Sequence, residues 1–121
     1  MMNKHTEHDL QVACVRWFRL QYSRCGRLLF AIPNGGQRNL VVAAKLKAEG
    51  VVSGVPDMFL ALPNGGYHGL WIELKNGRAG RLSEHQKEMI DSLRAMGYCC
   101  VVCRTIDEFM GAVKEYMGES A

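Results

Sequence analysis

No run of eighteen apolar residues occurs anywhere in the 121-residue chain, so a transmembrane helix is not expected. The first residues are also poor in apolar character. Met1 to Asp9 carries His5, Glu7, His8 and Asp9 and has no hydrophobic core of the kind a secretory leader needs. The protein is therefore expected to stay in the cytoplasm, with no membrane partner. Cysteine lacks a framework. There are 5, namely Cys14, Cys25, Cys99, Cys100 and Cys103, an odd number without regular spacing, which argues against disulfides. Cys100 and Cys103 form a C-x-x-C, but no second pair completes a four-thiolate site. Both read as packing residues of a buried strand. His5, His8, His68 and His85 have no useful metal-ligand spacing and receive no role. Charge of either sign is not in large excess: 15 Lys and Arg against 12 Asp and Glu give +3. That suits a polyanionic partner without demanding one.

What is present is an ordinary globular composition, 48% apolar and 22% charged. The length suits one domain spanning residues 1–121, with a core over about residues 7–117. Leu10, Cys14 and Trp17 recur at helical spacing, so a helix is expected from Glu7 to Ser23, ended by Gly26. Val15, Phe18 and Tyr22 form a second apolar stripe beside the first. Leu28 to Ile32 reads as a strand, Pro33-Asn34-Gly35-Gly36 as a turn, and Asn39 to Glu49 as a helix stopped by Gly50. Lys45 and Lys47 read as its solvated face. Gly54-Val55-Pro56 is a loop, because proline disfavours helix at the residue before it. Strands follow at Asp57 to Leu62 and Leu70 to Lys75, joined by a turn with a second Pro-Asn-Gly-Gly. That tetrapeptide is too short to mark a structural repeat. Asn76 to Arg81 is a basic glycine-containing loop. Ser83 opens a helix ending near Gly97, Tyr98 to Arg104 is the last strand, and Thr105 with Glu108 suggests a capping box for a final helix. The order α-β-α-β-β-α-β-α, with hairpin and crossover connections, predicts an α/β fold on a mixed sheet flanked by helices.

The chemistry concentrates in Asp57 and in Glu73-Leu74-Lys75. Side chains alternate along a strand, so Glu73 and Lys75 share a face, while Ile72 and Leu74 point into apolar packing. If Leu62 pairs with Leu70, Asp57 lies opposite Lys75 and diagonal to Glu73. Diagonal neighbours stand about 7–8 Å apart, near enough for two carboxylates to converge on one ion. Such a pair suits a hard divalent cation such as magnesium, which keeps several waters and takes phosphate oxygens. Lys75 can orient a water or stabilise charge in the transition state. The same residues also suit a plain exposed ion pair, which is common and weak.

Read together and in order, the motifs are Glu7 with Gln11 one turn on, Asn34-Gly35-Gly36 with Arg38, Gly54-Val55-Pro56-Asp57, Glu73-Leu74-Lys75, and Ser83 to Gln86. This set resembles the VRR-NUC family of the PD-(D/E)XK nuclease superfamily, over roughly Glu7 to Val113. The resemblance implies a restriction-endonuclease-like fold and a deoxyribonuclease dependent on Mg2+ or Mn2+. It implies Asp57, Glu73 and the Leu74 carbonyl as metal ligands, with Glu7 beside them, and Lys75 and Gln86 in catalysis. Its products would carry 5′-phosphates. Glu7 on its own is also explained by the helix dipole, and Gln86 by a capping box with Ser83. Asn34, Arg38, Arg78 and Arg81 are candidate DNA contacts. Arg78 and Arg81 flank Gly80, where backbone can approach phosphate. Trp71 can stack on a base or pack in the core.

Compact relatives of this kind occur in bacteria and their phages, and some are similar to Holliday-junction resolvases. A homodimer acting on branched DNA is therefore expected, and the Val15, Phe18 and Tyr22 stripe is a candidate interface; the alternative is that this stripe packs on the last helix of its own chain. Two other functions compete with the nuclease. One is a non-catalytic DNA-binding module on the same fold, against which the intact Asp57, Glu73 and Lys75 set argues. The other is a sequence-specific restriction enzyme, for which this length leaves no recognition domain.

Overall fold

The computed structural model describes residues 6–33 and 39–119. Asn34, Gly35, Gly36 and Arg38 lie outside the described residues. The chain runs α1 (Glu7–Gln21), a 3-10 turn (Ser23–Leu28), β1 (Leu29–Ala31), α2 (Leu40–Ala48), β2 (Met58–Leu60), β3 (Leu70–Leu74), α3 (Glu84–Ala95), β4 (Cys99–Cys103) and α4 (Ile106–Tyr116). This is the expected order with one addition. The first helix stops at Gln21, short of Gly26, and the 3-10 turn follows. Arg19 holds that turn: its side chain donates to the carbonyls of Gly26 (3.2 Å) and Leu29 (3.2 Å).

The helix starts are set by local side chains. Thr6, Asn39, Ser83 and Thr105 each accept a backbone N–H from the first turn of the helix they precede, which satisfies donors that have no partner within the helix. At α4 the expected box is altered. Thr105 accepts the Glu108 N–H, but the Glu108 carboxylate reaches past Thr105 to the N–H of Arg104 (2.7 Å).

The four strands form one sheet in the order β1-β2-β3-β4. β1–β2 and β2–β3 are antiparallel and β3–β4 is parallel. Leu60 pairs with Leu70 and Met58 with Ile72. The expected Leu62–Leu70 pairing is therefore out by two residues, because the connection is longer than assumed and closes on its own Asn64–Tyr67 bridge. Continuing the register sets Asp57 across from Glu73, not Lys75. A two-residue slip leaves every side chain on its expected face.

One face carries Leu29, Met58, Leu60, Leu70, Ile72, Leu74 and Cys103. These pack with Cys14 and Phe18 from α1 and Phe109, Val113 and Tyr116 from α4 in one core. α3 lies on the other face, where the Cys100 thiol meets the Ile90 carbonyl. Residues three apart on a strand point to opposite faces, so Cys100 and Cys103 cannot share a metal. Burial pushes Cys100 up to about 11 and Cys103 to about 12, so both remain unreactive thiols. Among the described residues no helix is long and apolar enough to cross a membrane.

Both stripes of α1 belong to this core, which overturns the interface expected of the second. Phe18 is wholly buried, Val15 and Tyr22 pack against the core, and the Tyr22 hydroxyl donates to Glu119 (3.0 Å). By contrast α2 buries no side chain, and its Leu40 and Val41 are 87% and 78% exposed. Phe18→Ala should lose about 3–5 kcal/mol in urea denaturation, the range for emptying a buried aromatic site. Leu20→Ala, two residues on and 81% exposed, should stay within about 0.5 kcal/mol of wild type. Equal losses would mean that α1 is not seated as described.

Candidate active site

The catalytic candidates meet on the sheet face opposite the main core, at the end of β3 where the chain passes from Leu74 to Lys75. Glu73 is 3% exposed, and it is the buried charged residue among those described. Its Oε2 accepts from Gln86 Nε2 (2.8 Å) and lies 3.7 Å from Lys75 Nζ. The exposed-ion-pair alternative is therefore excluded. Asp57, directly before β2, turns its Oδ2 to the Leu74 N–H (2.7 Å). This bond replaces a rung of the β2–β3 ladder and ties the two strands together at the site. A strand residue turns its N–H and C=O to the same side, so the Leu74 carbonyl also points toward Asp57.

Gln86 caps α3 and also reaches Glu73. Its N–H donates to the Ser83 hydroxyl (3.1 Å) and its Oε1 accepts the Ser83 N–H (2.9 Å), while its Nε2 binds Glu73. A terminal amide has one acceptor end and one donor end, and here the helix cap takes the first and the carboxylate the second. Gly54 brings α3 this close. Its φ is +94°, and a Cβ there would stand 2.4 Å from the His85 carbonyl oxygen, so only glycine allows the 51–57 loop to lie on the start of α3. The sequence marked Gly54 as a loop residue and as part of the Gly54-Val55-Pro56-Asp57 motif but not its packing on α3, because its contact partner lies some thirty positions away.

Glu7 is exposed at the rim, where its Oε2 accepts the Asn76 N–H (3.3 Å). Glu7, Lys47, Asp57, Glu73, Lys75 and Gln86 all line one cleft of about 1110 Å3. Lys47, expected on a solvated helix face, is exposed but forms part of the cleft wall. Gln11 is not brought to it; it lines a separate hollow on α1 with His8 and Arg16. Arg78 and Arg81 are exposed on the loop beyond Lys75. Trp71 shares the Glu73 face but is taken up by packing, with its ring 4.3 Å from that of Phe59.

The electrostatics follow from crowding two carboxylates out of water. Burial pushes the Glu73 carboxyl up to about 7, Asp57 and Glu7 add repulsion, and Lys75 offsets part of it. Asp57 is raised too, chiefly by burial and further by Glu7, with the Leu74 amide and Lys75 pulling the other way. Perturbed carboxyls in a cleft mark candidate functional groups.

The chain resembles known proteins in sequence and in fold. The VRR-NUC domain model matches residues 1–106. A solved structure described as a "VRR_NUC domain protein" superposes with a TM-score of 0.83 at 30% identity, covering 98% of this chain and 93% of that one. No relative is found among curated proteins.

The Glu73 shift gives a sign to the pH dependence of stability. The carboxyl titrates at about 7 in the fold against an ordinary 4.5, so the folded state binds the proton more tightly. The resulting stability is complete below about 4.5 and is lost as pH rises through about 7. In chelator-treated buffer Tm should fall between about pH 5 and pH 8 by this linkage. Glu73→Gln has no proton to lose there and should show a much flatter profile. The same slope in both proteins would mean that Glu73 ionises at no cost.

Proposed function

This chain belongs to the VRR-NUC family, and from that premise we propose that it hydrolyses DNA phosphodiester bonds as a magnesium- or manganese-dependent endonuclease. The observation that carries the reading is Glu73, a carboxylate 3% exposed and set beside Asp57. Two carboxylates stripped of water repel each other and are costly unless a cation joins them. The donor set fits the ion. Magnesium takes one or two carboxylates and fills its shell with water and phosphate oxygens. Among the described residues no group of three or more His, Cys, Asp or Glu side chains could hold a metal. Asp57 and Glu73 would hold the magnesium, with the Leu74 carbonyl on the same side and Glu7 at the rim. When bound, the cation supplies Lewis acidity and charge neutralisation at the scissile phosphate.

The protein groups do the rest. The contacts of Glu73 with Gln86 and Lys75 both fall on Oε2. Gln86 keeps that carboxylate from rotating. Lys75, with its ammonium fixed near Glu73, orients the attacking water and stabilises the charge that develops on the phosphoryl oxygens. Attack in line with the leaving 3′ oxygen forms the new bond to phosphorus, breaks the old one and leaves a 5′-phosphate; the departing oxygen takes up a proton. Arg78 and Arg81, with Arg38, neutralise flanking phosphates, and Asn34 can donate a hydrogen bond to one. A non-catalytic DNA-binding module is the weaker reading, since a buried carboxylate beside a half-buried one repels a polyanion unless the two serve a cation.

The active form is a two-fold dimer, and branched DNA is its preferred substrate. One chain carries one catalytic set, and a four-way junction is close to two-fold symmetric, so paired sites can cut matching strands. The uncovered apolar surface of α2, with Leu40 and Val41, supports a second copy docking there.

Asp57→Asn and Glu73→Gln should each abolish cleavage of labelled four-way-junction DNA in magnesium while retaining fold and DNA binding. Near wild-type cleavage by either variant would remove the assigned site. The dimer is checked separately by light scattering after size exclusion. Wild type should give twice the chain mass, and Val41→Glu should give the single mass with little change in Tm. A monomeric wild type that still makes paired incisions would rule the dimer out.

A further inference from the structure

The loop between Lys75 and α3 has no strand or helix to hold it, yet the Lys75 side chain beneath it is only 14% exposed. Part of the cover is Gly80. A Cβ added at Gly80 would stand 3.3 Å from Lys75 Cβ and 3.5 Å from its Cδ, so the bare glycine backbone lies directly on the lysine stem. Two side chains from distant elements fix the loop in that position. Glu7 takes the Asn76 N–H, as described above. Arg104, at the end of β4, donates from one guanidinium nitrogen to the carbonyls of Gly77 (2.8 Å) and Gly80 (2.6 Å).

Arg104 is itself rooted twice. The residue before it, Cys103, accepts the Lys75 N–H (3.0 Å), and its own N–H is held by Glu108 at the head of α4 (2.7 Å). The β3–β4 pairing, α4 and the loop therefore meet at one side chain. A lysine stem has several rotatable bonds and loses much rotamer entropy when fully ordered. Packing the stem in advance means that this ordering is not required in the transition state.

We propose that Arg104 is a positioning residue of the nuclease: by clamping Gly77 and Gly80 it presses the loop onto the Lys75 stem and holds the ammonium beside Glu73. The inference rests on the reading of Lys75 given under Proposed function. The guanidinium contacts are to the loop carbonyls, so Arg104 acts through the loop. Lysine replaces it poorly, because its ammonium is more strongly hydrated and sits on a flexible stem, whereas the rigid guanidinium is pre-organised and loses less freedom per hydrogen bond formed.

The test is steady-state cleavage of the same junction DNA in magnesium by Arg104→Ala, Arg104→Lys and Gly80→Ala, alone and combined with Lys75→Ala. Each single variant should lose roughly 10–100-fold in kcat, the scale of an ångström-sized misplacement, with KM within about threefold of wild type. In the Lys75→Ala background the same changes should cost less than about twofold more, because the group they position is gone. Gly80→Ala keeps the clamp and disturbs only the stem contact, so it carries the test if Arg104→Ala fails to fold. Fully additive losses would overturn the proposal, as would activity that falls only with the folded fraction. A weakened affinity with a shallower salt slope would make Arg104 a phosphate contact and would also overturn it. If Lys75→Ala alone leaves the rate intact, the reading of Lys75 fails instead, and that result is separate from any result with Arg104.

Discussion

The structure depends on burying the Glu73 carboxylate beside Asp57. A buried carboxylate loses its water and is stable only if hydrogen bonds and opposite charge replace it. Here the replacements come from three directions. The Leu74 amide holds Asp57, the Gln86 amide holds Glu73, and the Lys75 ammonium sits beside both. The compensation is incomplete, since both carboxyls remain raised. That deficit sets the pair apart from a finished salt bridge.

The fold supplies rigidity where this strain is held. β3 is the inner strand between an antiparallel and a parallel neighbour, and its Ile72 and Leu74 are anchored in the core on the opposite face. Glu73 is thus fixed from behind by residues on either side of it in the chain. α3 presents its capped first turn to the site, so the geometry that ends a helix also aims Gln86. Gly54 permits the approach that makes this possible, and without it the loop carrying Asp57 could not lie against α3.

Local regularities made much of this legible. The element order, the starts of α2, α3 and α4, the turn residues and the shared face of Asp57, Glu73 and Lys75 follow from signals acting over a few residues. The C-x-x-C was readable as packing for the same reason. The register of β2 against β3 was not, because residues 61–69 contain a small bridge of their own that lengthens the connection. Nor was the fate of the second α1 stripe. Val15, Phe18 and Tyr22 form an apolar face under any arrangement, and only the placement of α4 and the sheet decides whether that face is covered.

The sequence by itself determined the alternation of faces, the capping of the helices and the ordered motifs that mark the family. Alternation has a period of two, so it survived a two-residue slip, and caps close within one turn. The tertiary structure alone decided how deeply Glu73 is buried, that Gln86 both caps a helix and binds a carboxylate, that Lys47 lines the cleft, and that Arg104 reaches Gly77 and Gly80. Each of these depends on which distant segments lie together. Burial and long-range hydrogen bonds arise when the whole chain closes on itself, and no local pattern of residue types encodes them.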